Sequence, residues 1–430
     1  MPSLALRVLL LSLAAVTSAL SMGAAPPPLA PAAAQVPESA NWIHWWRLNR
    51  SLYTQRGQAV YGAGPGVRGT APETDFLREE LVPVLLTVLE REKDKDMLIA
   101  ALMTLGKLGL DAPETPRGLA LTSQEAIVSM LDHGNQEVAE SAVIALGILG
   151  RSSVAQPLVE ILKGEYESKT RKPASRRLRA LAAYGLGVVG RRSTAEAVRS
   201  YCVHHLVDAI EQMDGVSSDV GVACVISLGM VRLKPSEAVA DPEAAPPTPS
   251  ASRQGQVRYL LGLLSEHELK DEVLASVPVA LARLAADQEG LREGVAQDFV
   301  TRLALRSKEA TEVRLGCVQG LGLLGNSDQA PMDAAIRSRL LEVVRDGERL
   351  ERVVGLVALG RVGGRRGSGP QGEGATTVRS YLMGRLESGE SMQKPWAALG
   401  LGLLERGRAA QGAPPALGTL NSMRKLMEKS

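Results

Sequence analysis

The stretch "NQEVAESAVIALGILGRSSVAQPLVEILKGE" (residues 135–165) decides how the rest of the chain is read. Ala142, Leu146 and Leu149 follow one another at steps of four and three, so they form one stripe along an α-helix. Glu137 stands at the beginning of that helix, where a negative charge suits the positive end of the helix dipole. Gly150 punctuates the end, as a C-terminal cap would, and residues 153–165 then read as a second helix. The unit is helix, glycine-marked turn, helix.

The same phrase returns along the chain as "AALMTLGKLG", "LAAYGLGVVG", "VACVISLGMV", "PVALARLA", "CVQGLGLLG", "GLVALGRVGG" and "AALGLGLL". Aligned on the glycine after leucine, the anchors are Gly106, Gly147, Gly187, Gly229, Ala282, Gly322, Gly360 and Gly402, at intervals of 41, 40, 42, 53, 40, 38 and 42 residues. One residue earlier there is always leucine: Leu105, Leu146, Leu186, Leu228, Leu281, Leu321, Leu359 and Leu401. Five earlier the residue is small or slender, from Ala101 to Ala397, and two later it is apolar, from Leu108 to Leu404. A glycine inside a helix costs about 1 kcal/mol against alanine, so its recurrence implies that neighbouring helices approach closely there. Glycines three past the anchor (Gly109, Gly150, Gly190, Gly325, Gly363) are expected to stop the helices. Acids ten before it (Asp96, Glu137, Asp219, Glu272, Glu312) mark the starts. Pro278 falls inside the fifth anchored helix and is expected to kink it.

A period of about 40 residues with two helices per unit belongs to α-solenoids. The pattern resembles HEAT repeats, in particular the short type first associated with bilin lyases, over residues 74–430. That resemblance implies an all-α fold, an α-α superhelix (armadillo/HEAT-like solenoid) of about eight helix pairs, and a protein-binding scaffold as its use. The "NWIHWWRLN" segment ahead of the repeats is similar to that of a group of exported bacterial HEAT-repeat proteins.

The N-terminus reads as an export signal, residues 1–25: one early basic residue, the apolar run "VLLLSLAAVTSAL", then Gly23, Ala24 and Ala25. Thirteen helical residues rise about 20 Å, short of a bilayer core of about 30 Å. The mature chain is therefore expected to be exported, periplasmic or extracellular in the cell envelope, with no membrane span. Residues 26–40 are a Pro/Ala-rich tether. Residues 41–73 open with Trp42, Trp45 and Trp46 in a chain that is only 3% aromatic, and Trp42, Trp46, Asn49 and Tyr53 share a helical face. A solenoid end exposes an apolar face, so this segment is read as its N-terminal cap. Two proline- and glycine-rich insertions, near 234–254 and 363–375, read as disordered loops, the first being alternatively a hinge.

Nothing in the sequence assembles a reaction. "GSGPQG" (residues 367–372) matches a dinucleotide motif but follows a helix and contains a proline. Ser422 and Lys425 match S-x-x-K without its companion motifs. Cys202, His204 and His205 lie too close in sequence to share a metal easily, and only His267-Glu268 forms the His-Glu pair on which iron-holding HEAT-like hydroxylases rely. Cys224 and Cys317 occupy the small-residue column. No catalytic, cofactor-binding or metal residues are assigned, and no cofactor is expected. Net charge is only +2, from 49 basic and 47 acidic residues, and the basic stretch "KTRKPASRRLR" has no aromatics to stack bases, which argues against nucleic acid. That stretch nevertheless offers a cationic ledge: Lys169, Arg171, Lys172, Arg176, Arg177 and Arg179, with Arg191 and Arg192 expected beside them. The reading is a non-enzymatic scaffold that holds another protein, acidic or anionic, on its concave face. The alternative is a lyase-like or enzyme-associated module.

Overall fold

The computed structural model describes residues 74–113, 122–166, 174–212, 218–235, 248–266, 269–304, 307–414 and 416–429. Two compact units divide the chain, Met1–Arg78 and Glu79–Ser430. Of the first, only the helical turn Thr74–Phe76 and the beginning of the turn Leu77–Leu81 are described.

The second unit is built of helices that alternate between two layers, with no strand among the described residues. One layer comprises α1 (Val82–Arg91), α3 (Ser123–Ser129), α5 (Ala155–Lys163), α7 (Glu196–Glu211), α9 (Arg253–Glu266), α11 (Glu289–Arg302), α13 (Pro331–Asp346), α15 (Gly374–Ser388) and α17 (Leu417–Lys429). The other comprises α2 (Lys95–Leu108), α4 (Gln136–Leu149), α6 (Arg176–Arg192), α8 (Ser218–Leu228), α10 (Val277–Ala285), α12 (Thr311–Leu324), α14 (Arg349–Gly364) and α16 (Lys394–Ala409). These even-numbered helices carry the recurring phrase. Consecutive even helices pack on one another, and each even helix packs on at least one of the odd helices that flank it. The fold is an all-α superhelix of stacked helix pairs.

All eight leucines of the phrase are at most 1% exposed, and they belong to one continuous apolar core. Each such side chain is worth about 1.5–3 kcal/mol when fully buried, and no single helix pair could bury it alone. The anchor glycines explain how close the even helices come. A Cβ on Gly106 would lie 2.7 Å from the Ala145 carbonyl oxygen, on Gly147 2.7 Å from the Gly185 Cα, and on Gly229 2.6 Å from the Ala280 Cα. In each case the anchor of one copy presses on the residue two before the anchor of the next. That partner position is small in every copy but the first: Ala145, Gly185, Ser227, Ala280, Gly320, Ala358 and Gly400, against Thr104, which receives no preceding anchor among the described residues.

Helix starts agree with capping chemistry in the first three copies. The Asp94 carboxylate accepts from the backbone N–H of Asp96 and Met97, both at 3.0 Å, Asn135 from Glu137 at 2.8 Å, and Ser175 from Leu178 at 3.2 Å. The glycine stops hold only in part. Gly109 and Gly150 end α2 and α4 in the left-handed conformation, with φ 64° and 66°. Gly190 and Gly363 instead lie inside their helices, and Gly325 ends α12 with extended backbone at φ −73°. Their function is a second close approach: a Cβ would meet Val231 at 2.6 Å from Gly190, Ile336 at 2.7 Å from Gly325, and Leu404 at 2.8 Å from Gly363.

The fifth copy breaks rather than kinks. Asp271–Leu274 is a separate helical turn, and Pro278 sits in the first turn of α10, where its missing N–H costs nothing. Glu272 therefore starts that short turn and not the anchored helix. The displaced backbone is received by the sixth copy, since a Cβ on Gly316 would lie 2.4 Å from the Ala275 carbonyl oxygen. Across the first long insertion the chain closes its own base: the Arg253 N–H donates to the Lys234 carbonyl at 3.1 Å, and α9 already begins at Arg253. The composition of 363–375 suggests a disordered loop, but the structure pins its middle. Ser327 N–H donates to the Arg365 carbonyl at 2.8 Å, Gln329 N–H to Pro370 at 2.9 Å, and Gly369 N–H to the Asp328 carboxylate at 2.9 Å. Its ends, Gly363–Gly364 and Gly374–Ala375, belong to α14 and α15.

Candidate functional site

The ledge expected at residues 169–192 divides. Lys169, Arg171 and Lys172 lie outside the described residues. Arg176, Arg177 and Arg179 occupy the first turn of α6, while Arg191 and Arg192 occupy its last. Fifteen residues of helix separate the two groups by about 22 Å, so they mark opposite edges of the array. Two of the first group are engaged by neighbours. Arg177 pairs with the buried Glu140 of α4 at 2.9 Å, and Arg179 donates to the Leu162 carbonyl at the end of α5 at 2.7 Å. Arg176 remains exposed to solvent.

The opposite edge, at the C-terminal ends of the even helices, is where basic residues gather. Several of them cap carbonyls of the adjacent even helix. Arg151 donates to the Gly109 carbonyl at 3.0 Å, Arg192 to Ile148, Arg232 to Arg283 at 3.1 Å, and Arg365 to Gly322 at 2.7 Å and Gly325 at 2.6 Å. Cations belong at this end, because the last carbonyls of a helix are unpaired and carry the negative pole of its dipole. Acids such as Asp96, Glu137, Asp219 and Glu312 sit in the first turns of their helices, and α6, α14 and α16 carry arginines in their last.

Between the two edges the even helices present a strip of half-buried side chains. It consists of the positions three before and one after each anchor, including Tyr184, Val188, Ile226, Met230, Val279 and Leu323. Arg283 of α10 and Arg361 of α14 interrupt this strip. Burial, then the positive charge of Arg191, then that of Arg361, hold the Arg283 guanidinium below the ordinary arginine value. Arg361 is likewise lowered by burial. The three arginines come from the third, fifth and seventh copies. Sequence reading overlooked Arg283 and Arg361 because each stands alone in its own helix. Aligning the position after the anchor would have revealed them.

The other singled-out residues are structural where described. Cys202, Cys224 and Cys317 are free and buried, and burial pushes the first two thiols up to about 12 and the third up as well. The rings of His204 and His205 stand 4.9 Å apart, but Cys202 points into the core, and no group of metal-ligating residues occurs among the described residues. Residues 367–372 connect two helices, and Ser422 and Lys425 lie on α17. The tryptophan cluster, the signal and tether segments, His267 and Glu268 lie outside the described residues. A shallow crevice lined chiefly by Val203, Val207, Leu228, Tyr259 and Leu260 gathers no acid–base pair. No described helix is long and apolar enough to cross a membrane.

Residues 82–178 match the model of the HEAT repeats family. A comparison with curated protein sequences finds no match. Among solved structures, human deoxyhypusine hydroxylase in complex with glycerol is 17% identical, with 78% of this chain and 100% of that chain covered and a TM-score of 0.29. Kap121p is 12% identical, covering 80% and 39%, at 0.35. The S. pombe condensin Cnd3-Cnd2 subcomplex is 14% identical, covering 91% and 60%, at 0.38. Likenesses this distant carry no argument about activity. What stands is an all-α array of stacked helix pairs whose residues 82–178 match HEAT repeats.

Proposed function

We propose that this protein is a non-enzymatic scaffold, exported to the cell envelope, that holds a protein partner along the even-helix layer. The observation that carries this reading is the half-buried strip, which runs from copy to copy as an extended surface and not as a closed pocket. The even layer is assigned to the concave side for a steric reason. Glycine and other small residues let its backbones touch, whereas the odd helices meet one another less extensively. A two-layered stack bends toward the layer with the shorter spacing. The half-buried Arg283 and Arg361, which have no carboxylate partner among the described residues, support an acidic or anionic partner. The export-signal pattern expected from the sequence of residues 1–25 supports the envelope location.

The test places a photo-crosslinking amino acid at Tyr184, at Ile226 or at the exposed Gln297 of α11. Tyr184 and Ile226 should capture the same partner from envelope extract, and Gln297 should not. Capture from Gln297 alone, or from none of the three, would reject the scaffold reading. Fractionation with N-terminal sequencing checks the location, the expected mature chain beginning just after the small-residue site.

A further inference from the structure

We infer that the even-helix strip binds an extended peptide segment that alternates acidic and apolar side chains, with Arg191, Arg283 and Arg361 receiving its carboxylates. This rests on the scaffold reading and narrows its ligand.

Three observations carry it. First, the strip contains no acid: at the positions three before and one after the anchor, none of the eight copies has Asp or Glu. Second, the guanidiniums of Arg191, Arg283 and Arg361 have no carboxylate or carbonyl partner among the described residues. Several other interior arginines are neutralised. Arg292 meets Asp333 at 3.0 Å, Arg302 meets Asp298 at 2.7 Å, and Arg314 meets Glu351 at 2.6 Å. Third, Arg283 and Arg361 stand half-buried on the strip, and after burial the positive charges of Arg191 and Arg361 help to hold the Arg283 guanidinium below its ordinary value. Half-buried cations without a partner, as Arg283 and Arg361 are, are unfavourable until an anion joins them.

The spacing and lining select the anion's carrier. Stacked helices lie about 8–10 Å apart, so alternate copies present their arginines about 16–20 Å apart. An extended peptide covers that distance in about five or six residues, and about twelve residues span all three arginines. Between the arginines lie Tyr184, Val188, Ile226, Met230, Val279 and Leu323, which suit apolar side chains of such a peptide. A nucleic acid fits poorly. Duplex DNA carries a charge every ~1.7 Å, far denser than three arginines can match, and the lining is mostly aliphatic instead of stacked aromatics.

The experiment follows fluorescence anisotropy of a labelled Glu-Leu repeat peptide titrated with the full chain. Parallel titrations use Gln-Leu and Lys-Leu counterparts, a dT oligonucleotide and inorganic polyphosphate. Saturable binding of the Glu-Leu peptide is expected, with loss of binding for the Gln and Lys counterparts. Replacing both arginines (R283A/R361A) should weaken it about tenfold or more, R283K/R361K should restore part of the loss, and R176A should match the wild type. Melting temperatures check that the variants fold, and the Gln-for-Glu comparison on the wild-type chain decides the matter even where one does not. The inference is overturned by equal affinity for the Glu and Gln peptides, by undiminished binding in a folded R283A/R361A chain, or by tighter binding of oligonucleotide or polyphosphate. If crosslinking at Tyr184 still captures a partner in that event, the scaffold reading stands and only the acidic-peptide assignment falls.

Discussion

Gly147 and Gly402 occupy the same column of the repeat, and their surroundings differ completely. Gly147, in the second copy, faces the backbone of Gly185, so an added Cβ would lie 2.7 Å from that Cα. Gly402, in the eighth, meets no further anchored helix among the described residues, and its nearest neighbour would be the Met423 methyl at 3.9 Å. The interior glycine is a steric necessity, whereas the terminal one is a copy of the pattern without the contact that requires it. A repeated residue therefore reports what the interior demands, and the ends of an array show which demands have lapsed.

The largest expected effect tests how firmly the interior is tied. Arg292 of α11 and Asp333 of α13 form an ion pair at 3.0 Å, with exposures of only 4% and 1%, and Arg292 also donates to the Leu324 carbonyl at 3.2 Å. Arg292→Ala leaves a buried carboxylate without its partner and should cost about 3–5 kcal/mol in urea unfolding. A loss within the range of an ordinary surface substitution would show that the interior odd layer does not depend on this tie.

The next effect bears directly on the glycine column. Gly147→Ala should destabilise by about 1–3 kcal/mol through overpacking, although alanine is the better helix former. Gly402→Ala should act in the opposite direction, gaining up to about 1 kcal/mol from helix propensity alone. Thermal unfolding of the two variants reads the contrast, and the same sign at both positions would break it.

The smallest effect is confined to the C-terminal end. The Glu405 carboxylate accepts from Arg379 at 2.7 Å, from the Thr419 hydroxyl at 3.1 Å and from the Ala416 N–H at 3.2 Å, joining the start of α17 to α16. Burial pushes its pKa up, but these hydrogen bonds outweigh burial and hold it below the ordinary value of 4.5. A lowered folded pKa contributes stability that is complete above 4.5 and is lost as pH falls through the lower folded value. Between neutral pH and pH about 3, α17 should loosen before the interior helices do, as followed by its amide chemical shifts. Shifts of α17 that stay fixed while the rest of the array melts would contradict this.

Much of the architecture was legible because the side chains that matter recur. Leucine before the anchor, a small residue five before it and an apolar residue two after it form a stripe only on a helix, and eight copies leave little choice of fold. The stops were less legible. Gly190, Gly325 and Gly363 read like Gly109 and Gly150, yet the contacts that use them come from Val231, Ile336 and Leu404, outside their own helices. The cationic ledge was misjudged for a similar reason: proximity in sequence placed Arg176 and Arg192 together, while a helix of 17 residues puts them at opposite ends.

The sequence by itself determined the repeat, its two helices and the buried leucine spine, since periodicity is a local property that a one-dimensional pattern records. Only the tertiary structure decided which arginines cap neighbouring carbonyls and which are left without partners. Arg283 and Arg361 are far apart along the chain, and they share one helix layer only because stacking sets alternate copies side by side.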